Sequence, residues 1–289
     1  MAHELLHVLE HAVIDSVKML PFLYLAYLLI EYIERRHGSR IEHALEGGGR
    51  WGFVPGALLG CIPQCGFSAM AANFYSSRVI TLGTMMAVFL ATSDEAIPML
   101  LAVPNQWAHM VLLIVIKIIS ALVFGFLLDV ILRKALPSSL RGGYDGHVEE
   151  VDCHEHHEAK QSIFFAALHH TVNIFLYVLV FSFVIGLAME LVGEDVFTAF
   201  LANMGVLQPV FAALIGLVPN CAASVLITQL YLSGSITFGA AVAGLCSGAG
   251  VGLVVLCKAN KNWRQNLFII GLLWLLGAIT GMVVQLFAL

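Results

Sequence analysis

Apolar runs broken by short charged or glycine- and proline-containing stretches repeat along the whole 289-residue chain. Taken between charged loops, they give segments near 12–33, 52–76, 79–102, 108–132, 163–191, 206–231, 235–257 and 265–287. Several approach or exceed the ~20 apolar residues with which a helix crosses a bilayer. The expected fold class is an all-α polytopic membrane protein. Two segments carry an unusual interruption. Gly60-Cys61-Ile62-Pro63-Gln64-Cys65 recurs as Gly216-Leu217-Val218-Pro219-Asn220-Cys221, so a proline, an amide and a thiol fall in order inside both.

Composition agrees with a membrane protein. The chain is 60% hydrophobic and 11% charged, with a mean hydropathy of +0.90, and a soluble domain needs far more charge than this. The net charge of -5 is small. No basic patch with interleaved aromatics occurs, which excludes nucleic acid as an expected partner. Met1–Glu10 has no basic stretch before an apolar core and does not read as a cleaved signal peptide. Of the six cysteines, Cys61, Cys65, Cys221, Cys246 and Cys257 lie in or at the ends of apolar segments. Their scatter suggests no disulfide framework, and Cys61, Cys246 and Cys257 read as small hydrophobes.

Charge placement turns the segments into a topology. Arg35, Arg36, Arg40 and Arg50 follow the first segment, and Arg78 follows the second. Arg133, Lys134 and Arg141 follow the fourth, while Lys258, Lys261 and Arg264 follow the seventh. The N-terminal decapeptide, the 103–107 and 232–235 turns, the 192–205 loop and the C-terminus carry no Lys or Arg. Basic loops collect in the cytoplasm. With that rule, 52–76 starts and finishes inside, and its Pro63-Gln64 break marks a re-entrant hairpin. By the same count 206–231 starts and finishes outside, turning at Pro219-Asn220. Six crossings and two opposed hairpins result, with both termini outside the cytoplasm.

The two halves are related. Adding 156 carries Gly60, Pro63, Cys65, Ser68, Tyr75, Ile80, Thr81 and Gly83 onto Gly216, Pro219, Cys221, Ser224, Tyr231, Ile236, Thr237 and Gly239. One half begins outside and the other inside, so the expected architecture is two inverted-topology repeats. Each has three transmembrane helices and one proline-broken hairpin. The first repeat covers 1–133 and the second 163–289, joined by a His- and acid-rich cytoplasmic loop at 134–162. Such repeats bind cargo near the midplane, where discontinuous helices meet.

Non-helical backbone at membrane depth is tolerated where it is buried or lines a watery cavity. Gln64, Cys65, Ser68, Asn220, Cys221 and Ser224 are therefore candidate pathway-lining residues; a proline kink with small residues for close packing is the structural alternative. In the third segment, Thr92-Ser93-Asp94-Glu95 precedes Pro98. Acids deep in an apolar span are costly and usually functional, so Ser93, Asp94 and Glu95 are expected to bind a cation or carry protons. Pairing with Lys18 or Lys117 is the alternative. The second half has Gly250 and Val251 in place of the acids, which makes the site asymmetric. His11, Asp15 and Lys18 share a helical face, with His169, His170 and Asn173 as their counterparts; Asp15, His170 and Asn173 are the candidate gate or proton relay. The 144–160 loop contains Cys153, His154, His156 and His157 among carboxylates. It reads as a transition-metal sponge or as a solvated acidic loop, and its spacing matches no fixed zinc motif.

The paired GCIPQC and GLVPNC elements, the Ser93–Pro98 stretch and an early Pro21-Phe22-Leu23 resemble one bacterial family over essentially the whole chain. This is the ten-helix heavy-metal exporters, also labelled arsenic efflux permeases or manganese transporters. Six crossings and two hairpins supply its ten helices. The resemblance implies secondary active export of a metal or metalloid ion across the bacterial inner membrane, with no resident cofactor and with the lipid bilayer as partner. Proton or sodium coupling and a homo-oligomer are compatible with it. Thiols at Cys65 and Cys221 suit arsenic and soft metals; Asp94, Glu95, Gln64 and Asn220 suit manganese. Two other functions stay open. An ion-coupled exporter of a small anion would use the hairpin helix N-termini. A lipid diphosphate phosphatase, also built from inverted hairpins, would need an arginine within a hairpin, and none is present. No phosphate-binding loop for ATP occurs, so the expectation is a transporter and not an enzyme.

Overall fold

The computed structural model describes residues 51–62, 65–92, 96–103, 106–142 and 204–287, with isolated helical positions between 13 and 28 and between 164 and 187. Among the described residues the regular structure is helical, apart from one isolated bridge between Thr81 and Gly142. The first group is α1 (Phe53–Gly60), α2 (Cys65–Ser76), α3 (Leu82–Ala91), α4 (Ala96–Ala102) and α5 (Trp107–Phe126). The second is α6 (Gln208–Gly216), α7 (Cys221–Leu232), α8 (Phe238–Ser247), α9 (Val251–Ala259) and α10 (Trp263–Phe287).

Adding 156 to α2 gives the bounds of α7, and adding it to α3 gives those of α8. Local signals explain the agreement. The turn after α2 has Arg78 in the left-handed region at φ 57°, and the turn after α7 has Gly234 at φ 75°. Each is closed by the same pair of bonds: Val79 N–H to Phe74 O and Arg78 N–H to Tyr75 O, then Ser235 N–H to Leu230 O and Gly234 N–H to Tyr231 O. These satisfy carbonyls that a helix end would leave without partners. Thr81 then caps α3 by accepting from the Thr84 N–H, as Thr237 caps α8 by accepting from the Ala240 N–H. Ser/Thr at this position stabilises a helix by about 1 kcal/mol.

α3 and α8 form the centre. All ten residues of α3 and nine consecutive residues of α8 are buried. Both lack a polar face, as a helix enclosed on all sides should. Around them α1 and α5 pack on α3, while α6 and α10 pack on α8. Close approach needs small residues: Gly239, Ala243 and Ser247 on α8 meet Gly277 and Gly281 on α10. The outward faces of α5 and α10 remain apolar and exposed, including Val111, Val115, Ile119 and Val123 and then Leu267, Leu275, Ile279 and Val283. A lipid-facing surface has this character.

Three helical stretches among the described residues are long and apolar enough to cross a membrane: Trp107–Lys134, Phe238–Ala259 and Trp263–Phe287. The second of these is broken within. Read as one segment over 235–257, the chain instead stops α8 at Ser247 and starts α9 at Val251, with Gly250 at φ +51°. The segment over 79–102 likewise divides into α3 and α4. Glycine supplies the conformation in the second half; in the first, Thr92 leaves the helix as its hydroxyl donates back to Val88 O at 2.7 Å.

A buried lock fixes the far end of α3. Asp129, 3% exposed in a π-helical turn at Leu127–Ile131, accepts from Thr81 Oγ1 at 2.5 Å and from the Gly83 N–H at 3.0 Å. Its counterpart at +156 is Gln285, whose Oε1 accepts from the exposed Thr237 hydroxyl at 3.1 Å. Asp129→Ala strands two buried donors, so it should lower stability by about 2–3 kcal/mol. Gln285→Ala should cost under about 1 kcal/mol, because water replaces the bond. Thermal melts of the detergent-solubilised variants check the order; equal losses would contradict it.

Candidate functional site

The helix interruptions converge. At the end of α1, a Cβ on Gly60 would lie 2.6 Å from Val88 O and 2.8 Å from Ala91 Cβ, so this end abuts the end of α3. At the end of α6, a Cβ on Gly216 would meet Gly244 O and the Ser247 hydroxyl at the end of α8. Ser247 also donates from α8 to Ala213 O of α6 at 2.7 Å. The starts of the later helices complete the zone. A Cβ on Gly252 at the start of α9 would lie 2.9 Å from Ser68 Cβ in the first turn of α2 and 3.0 Å from Phe89 of α3. α7 packs on α4, as α2 packs on α9. The C-terminal end of α1 therefore meets that of α3, the end of α6 meets that of α8, and the start of α9 lies against the first turn of α2.

Lys117 stands in that region. It comes from the middle of α5, is 0% exposed, and donates to Leu245 O of α8 at 2.6 Å and to Thr92 O at the end of α3. Both carbonyls are free to accept because the helices break just beyond them: the Ala249 N–H that would have paired with Leu245 turns to Ser247 O instead. One ammonium thus ties the two central helices at their broken ends. Its charge also lies within electrostatic reach of the Cys61 and Cys246 thiols.

Among the residues singled out in the sequence, Ser68 is buried in the first turn of α2, close to α9. Asn220 and Ser224 are half-buried around the start of α7; the Asn220 N–H donates to Val218 O at 2.8 Å and its carbonyl accepts from the Ala223 N–H at 3.2 Å. Cys65 and Cys221 are the first residues of α2 and α7. Gln64, Ser93, Asp94 and Glu95 lie outside the described residues, between elements whose ends meet here. Asp15, His170 and Asn173, and the loop residues Cys153, His154, His156 and His157, also lie outside them. Cys61 is half-buried, its thiol donating to Ala57 O at 3.2 Å, and Cys246 is buried. Cys257, expected to be a buried hydrophobe, is exposed near the end of α9. Among the described residues no three His, Cys, Asp or Glu side chains cluster as metal ligands.

The sequence reading gave Lys117 only a pairing role and missed Asp129. Asp129 had a signal, since Thr81 and Thr237 were matched by the repeat, and the same offset links Asp129 to Gln285. Neither residue's partners are near it in sequence, so spacing alone identifies neither.

No curated protein and no solved structure matches the chain. One family profile does, over residues 5–204 and 191–288, under the description "Putative, 10TM heavy-metal exporter". The match spans nearly the whole chain and agrees with its apolar helices, and the chain therefore belongs to this family of ten-helix heavy-metal exporters.

Proposed function

We propose that the chain is a secondary active exporter that moves a heavy-metal or metalloid ion by alternating access. Two inverted halves rock about a site between the hairpin breaks. The observation that supports this reading is the recurrence of helix bounds at an offset of 156, with Lys117 joining the ends of α3 and α8 through Thr92 O and Leu245 O. Inverted repeats with discontinuous helices have this design, and their cargo sits at the repeat interface.

In this reading Gln64, Cys65, Ser68, Asn220, Cys221 and Ser224 line the pathway, and Ser93, Asp94 and Glu95 add charge on one side. Asp15, His170 and Asn173 serve as gate or relay. The protein lies in a bacterial inner membrane with both termini outside, and the 134–162 loop delivers metal from the cytoplasm through Cys153, His154, His156 and His157. Helix N-termini at Cys65 and Cys221 favour, as a second reading, an anionic cargo such as an oxyanion.

Uptake into inverted vesicles tests the function, with manganese, zinc, cadmium, arsenite and a set of oxyanions as cargo. At least one metal or metalloid should accumulate against its gradient. Accumulation that the Cys65→Ser/Cys221→Ser variant loses by roughly tenfold or more assigns thiolate ligands. Accumulation that this variant keeps assigns the acids and amides. An oxyanion moved in place of every metal establishes the second reading, and diphosphatase activity without transport overturns both.

A further inference from the structure

The connector after α5 is bonded back onto the first hairpin. Past the π-helical turn, Leu132–Lys134 forms a 3-10 turn and Ser138–Arg141 a single helical turn. Tyr75, in the last turn of α2, donates its hydroxyl to Leu140 O at 2.9 Å, and both residues are buried. Gly142 pairs with Thr81 in the isolated bridge. A Cβ on Gly142 would lie 2.7 Å from Ile80 O and 2.8 Å from the Tyr75 ring, and its φ is +59°. Glycine alone takes that conformation and that approach without strain. Arg141 stiffens the segment by donating to Leu136 O at 2.8 Å and to Lys134 O at 3.3 Å. Residues 135–142 thus lie as a strap across the turn between α2 and α3.

The repeat supplies a control. Tyr75, Ser77 and Thr81 are buried, while their counterparts at +156 are not: Tyr231 is half-buried, and Ser233 and Thr237 are exposed. Tyr231 meets the rings of His109 and Phe238. The turn after α7 is tied by a side chain, Gln208, which accepts from the Thr237 N–H at 2.9 Å. Ser77 lies between the strap's attachments at Tyr75 and Thr81, and its buried hydroxyl has no hydrogen-bond partner among the described residues. Burying an unsatisfied hydroxyl is unfavourable, so the closed strap is held at a cost that opening to water removes.

We propose that residues 135–142 are an autoinhibitory strap that, through Tyr75 and Thr81, holds α2 against the second half and keeps the cytoplasmic side of the pathway closed. α2 is the element to hold. It packs on α9 of the second half, its first turn meeting the start of α9, so motion between the halves on this side moves α2. In the proposed topology Arg78, Arg133, Lys134 and Arg141 put the strap on the cytoplasmic face, where cargo enters. Opening breaks the Tyr75–Leu140 bond, lifts Gly142 off the Tyr75 ring and lets water reach Ser77. One net hydrogen bond shifts such an equilibrium about fivefold, which sets the share of molecules ready to load without stopping transport. The gating half rests on the exporter reading; the strap itself rests on contacts alone.

Two experiments on the full-length protein decide the matter. The first needs no transport. Ser77→Cys and its counterpart Ser233→Cys are labelled with a maleimide in detergent, and peptide-resolved mass spectrometry separates both positions from the native cysteines. Position 77 should react roughly tenfold more slowly than position 233, since it reacts only when the segment opens. Tyr75→Phe removes the bond and should speed labelling at 77 about fivefold. Tyr231→Phe should leave labelling at 233 unchanged. Gly142→Ala displaces the strap from its other end and should also speed position 77, so it decides the point if Tyr75→Phe is not recovered. Equal rates at 77 and 233, or no response at 77 to either variant, overturn the strap. Failure to recover both variants overturns it too, because a strap that opens during the cycle cannot be required for folding. The second experiment measures initial uptake into inverted vesicles, with manganese, zinc, cadmium, arsenite and the oxyanions as probes in turn. For a probe that wild type moves, Tyr75→Phe should lower KM about fivefold, and Tyr231→Phe should not. A KM that Tyr75→Phe leaves unchanged or raises, when labelling at 77 has responded, overturns the gating and leaves the strap a brace. If wild type moves none of the probes, the exporter reading falls together with the gating, while labelling still decides the strap.

Discussion

Gly216→Val should leave little folded protein in the membrane, whereas Gly271→Val should leave the protein unchanged. Both glycines are helical, and on propensity alone either substitution would help slightly, since glycine inside a helix costs up to about 1 kcal/mol relative to alanine. Packing decides otherwise at Gly216. A single Cβ there would overlap the Gly244 carbonyl, which is backbone in the centre of a buried helix, and would lie 2.5 Å from the Ser247 hydroxyl. That hydroxyl is held by bonds to Ala213 O, Ala243 O and Gly244 O. Overpacking a tight core costs about 1–3 kcal/mol when side chains can yield. Here α6 would have to move off α8, so the loss should exceed that range. Gly271, on α10, has nothing within 4 Å of its Cβ position. Expression yield and melting temperature in detergent check the pair. A Gly216→Val protein melting within about 2 °C of wild type would show that α6 and α8 do not meet as closely as described.

Gly216 was legible in the sequence as part of a repeated motif, and its neighbour Pro219 marked a break. Helices α2 and α7 begin within one residue of the proline-amide pairs, because proline and the amide after it are strong local signals. The interruptions of α3 and α8 were not legible. Gly248-Ala249-Gly250 lies in a run of small apolar residues that continues as hydrophobic on both sides, and hydropathy cannot separate a packing glycine from a backbone turn. Thr92 ends α3 through a bond to its own preceding turn, which a threonine in a helix also makes without ending it.

Lys117 shows a different limit. A lone cation in an apolar span announces that something must compensate it. Which group does so depends on contacts at sequence separations of 25 and 128 residues. Pattern reading finds the charge and not the partner. The asymmetry of the site was legible, however: Asp94 and Glu95 have no acidic counterpart at +156, and neither does Lys117, whose counterpart is the buried Leu273 of α10. Departures from an otherwise matched repeat therefore concentrate where the proposed chemistry lies.

That asymmetry gives the second large effect. The double variant Asp94→Asn/Glu95→Gln should lose export by roughly 100-fold or more, and it should also be less stable. Carbonyl dipoles at Thr92 and Leu245 carry only partial charge, so a fully buried ammonium still needs an anion in its surroundings. Asp94 and Glu95 follow Thr92 by two and three residues in sequence, and pairing with Lys117 is the alternative the sequence leaves open for them. A buried charge deprived of its partner costs about 3–5 kcal/mol, and the double variant should show a loss of that order in its melting. Adding Lys117→Met removes the stranded cation, so the triple variant should regain most of the lost stability. It should not regain export, because the acids proposed to carry charge along the pathway are still absent. The cycle separates two roles that a single loss of activity would confuse. If the triple variant stays as unstable as the double, the acids do not compensate Lys117. If the double variant transports normally, the cargo pathway does not pass the break between α3 and α4.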